Sequence, residues 1–152
     1  CASPFGWKWM WQKRMADWLT DLRTHLLGVT AIANEIGTKM RRGHAAQNDT
    51  SPFVVYNLIN RETAQSINTG KTGSGVSQVE FVVEGGTFLE SRTVADLIRG
   101  ELEDMHQTTM GSTLVGAVQF LSEQEDLDAP TENSEDYVYL VTQDYRFFHN
   151  GV

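Results

Sequence analysis

The apolar positions change period along the chain, and each change marks an element. Phe5, Trp7, Trp9 and Trp11 alternate with Gly6, Lys8, Met10 and Gln12, the twofold period of a strand. From Met15 the period turns helical: Met15, Trp18, Leu19, Leu22 and Leu26 fall on one face, and Gly28 is placed to end the helix. Thr30–Ile36 reads as a further helical turn closed by Gly37, and Lys39–Arg42 as a short edge strand. Gly43–Pro52, rich in Gly, Asn, Asp and Ser, predicts a loop.

Pro52–Ile59 is a β-rich run with Pro52 at its mouth, read as a central strand, and a weaker strand is predicted through Thr63–Ile67. Asn68–Gly75 holds three Gly and no large apolar side chain, the composition of a flexible hairpin tip. Val79, Phe81 and Val83 alternate with Gln78, Glu80 and Glu84, as in a half-buried strand. Gly85-Gly86 breaks it. Thr87 and Glu90 have capping-box spacing for a helix whose apolar face is Val94, Leu97, Ile98, Leu102 and Met105, running to about His106. Strands Leu114–Leu121 and Tyr137–His149 close the chain, joined by an acidic hairpin loop, Ser122–Asp136. The order predicts an α+β domain: a mainly antiparallel sheet of four to five strands with two helices packed on one face. Residues 1–14 are read as a Trp-rich arm that either folds back onto its own core or adds to a neighbouring subunit, and residues 15–152 as the single domain.

Composition adds three points. Its 152 residues, 40% hydrophobic with 3 Pro, suit one domain with one core. No apolar run approaches the ~20 residues a membrane helix needs, so no membrane partner is expected. The lone cysteine, Cys1, has no internal disulfide partner; it fits either removal of an initiator Met or a lipidated terminus, and the first is expected because no signal peptide is visible.

Net charge is −8, which disfavours general affinity for nucleic acid. It is unevenly spread. Residues 1–42 hold seven bases and three acids, a net of +4, which leaves −12 for the rest. Ser122–Asp136 alone carries seven acids and no base. That polarity suits either differently solvated faces or one subunit's basic end meeting the next subunit's acidic end.

Candidate chemistry is sparse. Gly70-Lys71-Thr72 invites a phosphate-loop reading, but that pattern needs Gly where Gln65 stands, and a helix opening at the lysine where a strand is predicted. His25, His44, His106 and His149 lack partners at metal-ligand spacing. Glu101, Glu103 and Asp104 are explained by a solvated helix face, and no serine lies in a nucleophile elbow. Asp126, Asp128 and Glu132 lack the Gly of a calcium loop, so a hydrated loop is expected. No catalytic, cofactor or metal residue is assigned; an enzyme is not expected.

Four stretches resemble the phage tail-completion family, the head–tail joining and tail-terminator proteins of long-tailed phages and gene transfer agents. They are Leu27–Ile32 with Ile36–Lys39, then Ser51–Tyr56, then Thr93–Leu102, then Asp144–Phe147. The likeness spans about residues 15–150; the arm 1–14 departs from it. The resemblance implies a non-enzymatic virion protein: a hexameric ring capping the head-proximal end of the tail tube, meeting the tube protein and the connector's stopper protein. DNA would pass its channel without specific binding. Candidate subunit or partner contacts are Trp7, Trp9 and Trp11 on the arm, Asn68, Lys71 and Thr72 at the hairpin tip, and Glu125, Asp126 and Asp128 in the acidic segment. Two other readings stay open: a small ligand- or nucleotide-binding protein using Lys71, and a surface adaptor lipidated at Cys1.

Overall fold

Long stretches of alternating apolar and polar residues bury one face of a sheet, and the computed structural model shows that sheet with helices on its apolar side. It describes residues 18–66, 70–129 and 137–150, with side chains at all of these except 63–66 and 70–74. The arm 1–14 and Asn68 lie outside the described residues.

The first helix, α1, is helical over residues 18–27 and buries Trp18, Leu19, Leu22 and Leu26. It stops as the glycine signal predicts, with Gly28 N–H donating to Thr24 O at 3.0 Å. Helix α2, Thr30–Ile36, buries Ile32 and Ile36 and ends at Gly37, whose φ of +63° favours glycine. Strand β1, Met40–Arg42, then pairs in parallel with β2, Phe53–Ser66. Strand β3, Gly70–Gly85, follows β2 antiparallel.

Helix α3, Phe88–Glu103, starts where the capping spacing places it. Thr87 Oγ1 accepts from Glu90 N–H at 3.1 Å, and Glu90 Oε1 accepts from Gly86 N–H at 3.0 Å. Its buried face is Ser91, Val94, Ala95, Ile98 and Leu102. Strands β4, His106–Met110, β5, Thr113–Asp128, and β6, Val138–His149, complete a six-stranded sheet ordered β1-β2-β3-β6-β5-β4. Every pairing except β1–β2 is antiparallel.

The fold is thus α+β, mainly antiparallel, with the helices packed on one face; the described residues form six strands and three helices, against the four to five and two expected. Helix α3 ends at Glu103, and His106 opens β4 instead of closing the helix. The segments Pro52–Ile59 and Thr63–Ile67 belong to one strand, interrupted by register shifts at Leu58/Asn60 and Thr63/Gln65. The hairpin tip is shorter than the composition implied, since β3 already runs from Gly70. Ser122–Asp128 is not loop but the second half of β5, paired with β6 from Asp144 back to Val138. An acidic run pairs there because a strand's backbone bonds do not depend on its side chains. Most of those carboxylates, at the sheet edge, stay hydrated.

The core lies between sheet and helices: Phe81, Val83, Val141, Tyr145 and Phe147 from the strands meet Trp18, Leu22, Ile98 and Leu102 from the helices. Burying each large apolar side chain contributes roughly 1.5–3 kcal/mol. Tyr145 sits between Phe81 and Phe120, edge-on to both at 5.7 and 5.6 Å between ring centroids.

Candidate interaction surfaces

On the helix side of the sheet the polar groups are occupied with one another. Gln143 Nε2 donates to Ala95 O at 3.1 Å and to Glu123 Oε1 at 2.9 Å, and Gln143 Oε1 accepts from the Tyr145 hydroxyl at 2.9 Å. Ser91 Oγ donates to Tyr139 O at 2.8 Å. Ser77 Oγ lies 2.7 Å from His149 Nε2, and the Trp18 ring stacks on His149 with centroids 4.2 Å apart. Burial, aided by the Arg61 charge, pushes the His149 pKa down to about 4, so the ring is neutral at pH 7.

Where β5 passes under α3, Glu123 and Glu125 turn toward the helix. Arg92 Nη1 meets Glu123 Oε2 at 2.6 Å, and its other terminal nitrogen pairs with Glu125. Burial would raise the Glu123 pKa, but hydrogen bonds from Gln143 and Arg92 outweigh it and hold the carboxyl below its usual range. Arg99 lies over the Phe120 ring, 3.9 Å from its centroid, and its Nε donates to Glu103 at 2.8 Å.

The opposite face carries no helix among the described residues. The register stacks its side chains in rows across β3, β6 and β5: Gln78, Arg146 and Gln119; Glu80, Asp144 and Ser122; Val82, Thr142 and Gln124; Glu84, Leu140 and Asp126. Glu80 stands directly opposite Asp144, a like-charge pair that destabilises a sheet. Burial, then Asp144, raises the Glu80 pKa; burial, then Asp128, raises that of Glu84.

The β1 edge is basic. Arg23 donates from Nε to Met40 O at 2.7 Å and from Nη2 to Thr38 O at 3.0 Å, and Lys39 Nζ donates to Thr50 O at 2.7 Å. Arg41 holds Asp49 at 3.2 Å, chiefly by a hydrogen bond that keeps the Asp49 carboxyl below its usual pKa range. Arg42 is exposed.

Of the residues singled out from sequence, Trp7, Trp9, Trp11, Asn68 and Glu132 lie outside the described residues. Lys71 and Thr72 fall within β3, with Lys71 paired to Gln65, so a strand runs through the lysine that a phosphate loop would place at a helix start. Glu125, Asp126 and Asp128 share the end of β5, Glu125 toward the helices and the two aspartates on the open face. Lys71 is not brought near them. Glu125 is level with Val83 through Val141, and Lys71 lies twelve residues back along β3, roughly 40 Å at strand rise. Sequence reading missed the Arg92–Glu123 pair and the Glu80–Asp144 row. Both join residues far apart in the chain, and only strand pairing reveals them.

Comparison with family models and with curated proteins returns no match. Among solved structures, the chain is similar to a chain of the virion of a native gene transfer agent particle. The two share 14% identity and a TM-score of 0.56 over 84% of this chain and 90% of that one. At that identity the likeness is one of fold.

Proposed function

We propose that this chain is a non-enzymatic structural protein of a phage-type particle, acting as a tail terminator. It caps the head-proximal end of the tail tube as a hexameric ring, ends tube polymerisation and joins the tail to the head connector. The observation that carries this reading is the fold shared with a gene transfer agent virion chain over most of both lengths. The order of the four sequence stretches agrees with it. So does an open sheet face that keeps like charges opposed, an arrangement that folding alone does not favour and a surface facing partners tolerates.

The test has two parts. The purified protein is sized by sedimentation and imaged by negative stain; rings of about six subunits are expected. Particles are then produced in a host from which the gene for this chain is deleted. Unjoined heads and tails of irregular length are expected, rescued by the wild-type gene. A monomer that leaves tail length and joining unchanged on deletion overturns the reading.

A further inference from the structure

The two edges of the sheet carry opposite charge, and the strand register sets the opposed groups at one level. β4 covers β5 only from Thr113 to Ala117. From Val118 to Asp128 the outward backbone of β5 has no strand beside it among the described residues. A free edge of that length invites pairing unless it is charged or covered. This one carries Glu123, Glu125, Asp126 and Asp128, with Leu127 half-exposed between the aspartates.

Following the register across the sheet, Met40 aligns with Val54, Val83, Val141 and Glu125 in turn. Arg42 likewise aligns with Tyr56, Phe81, Gln143 and Glu123. The basic edge strand is therefore level with the acidic, uncovered half of β5. The strand directions match as well: β1 runs with β2, directions alternate through β3, β6 and β5, and β1 and β5 are antiparallel. A second copy set beside the first in the same orientation brings its β1 antiparallel to that free edge. Arg41 then lies on the open face with Asp126 and Asp128, and Lys39 comes level with Asp126. Arg42 lies on the helix side with Glu123 and Glu125.

We propose that this is the subunit interface: the acidic β5 edge of one copy, Glu125, Asp126 and Asp128, seats against the basic β1 edge of the next, Lys39, Arg41 and Arg42. The contact is head to tail, so it uses two different surfaces of the same chain and closes into a ring when the rotation per step allows. It rests on the ring reading given above and names the surfaces that make the ring. Because the charges are exposed, association weakens with salt as the screening length falls from roughly 10 Å at 0.1 M to 3 Å at 1 M.

The experiment compares the wild-type chain with two charge-reversed variants, Lys39→Glu with Arg42→Glu and Asp126→Lys with Asp128→Lys, by sedimentation. Each variant alone sets like charges against each other, and association is expected to weaken by about a hundredfold or more. An equimolar mixture restores opposite charge at every junction of an alternating ring, and rings are expected to return. Thermal melts confirm that both variants are folded. Should a double reversal melt early, Arg42→Glu and Asp128→Lys singly replace it, since neither side chain makes a hydrogen bond or ion pair within the described fold. Variants that assemble as the wild type does, or folded variants whose mixture stays monomeric, overturn the interface while leaving the ring intact. A wild-type chain that remains monomeric at low salt overturns the ring reading itself, and this interface with it.

Discussion

On the helix side of the sheet, Gln143, Tyr145, Ser77 and Ser91 each find a partner within 3.1 Å, and the Glu123 carboxylate is held by Gln143 and Arg92. On the open side, which no helix covers among the described residues, Glu80 faces Asp144 and Glu84 lies near Asp128; burial, then those neighbouring charges, raises the proton affinities of Glu80 and Glu84. Both faces belong to the same strands and alternate residue by residue. The helix side is organised for stability, because a buried polar group left unpaired costs about 1–3 kcal/mol. The open side gives up a little stability by setting Glu80 against Asp144, which is useful only where something else meets it.

That contrast gives a graded set of expectations. The largest effect lies in the core: Phe147→Ala should destabilise by about 3–5 kcal/mol in urea unfolding. Phe148→Ala, one residue along on the open face and 39% exposed, should cost below about 1 kcal/mol. Equal losses would mean that a further element covers the open face.

A second expectation concerns acid. His149 is held at about 4 when folded and titrates near its ordinary 6.5 when unfolded. Between these values the unfolded chain binds more protons, so the His149 contribution is intact above 6.5 and is lost as the pH falls toward 4. The loss is about 3 kcal/mol over that window. Stability curves between pH 7 and 4 should show this slope, and His149→Gln should flatten it; an unchanged slope would mean that other groups govern the acid limb.

The smallest effect is on the open face. Glu80→Gln removes a carboxylate whose proton affinity is raised in the fold, so it should stabilise the protein at pH 7, by less than about 1 kcal/mol after solvent screening. The gain should vanish as the pH falls and the wild-type Glu80 protonates. A loss of stability at pH 7 would mean that Glu80 is paired rather than opposed. It would also close the gap between the two faces.

The sequence by itself determined the elements whose signals are local. The Trp18–Leu26 stripe with Gly28, the Thr87–Glu90 cap, and the alternation of Val79, Phe81 and Val83 all stand in the fold as read. Each depends on residues within a turn or two of one another, so a period and a capping side chain suffice. The candidate surface was legible only in part. The acids Glu125, Asp126 and Asp128 were visible as composition, but their place in a strand was not, nor were β4 and the joining of β2 into one strand. His106–Met110 and Ser122–Asp128 have no apolar stripe to announce them. They are strands because β5 and β6 offer them backbone partners from elsewhere in the chain. The separation of Lys71 from the acids, and the levelling of β1 with Glu123 and Glu125, follow from pairings accumulated across four strand boundaries. Only the tertiary structure decided these, because a ladder of N–H and C=O groups is the same for every residue type but proline and leaves no mark on the order of side chains.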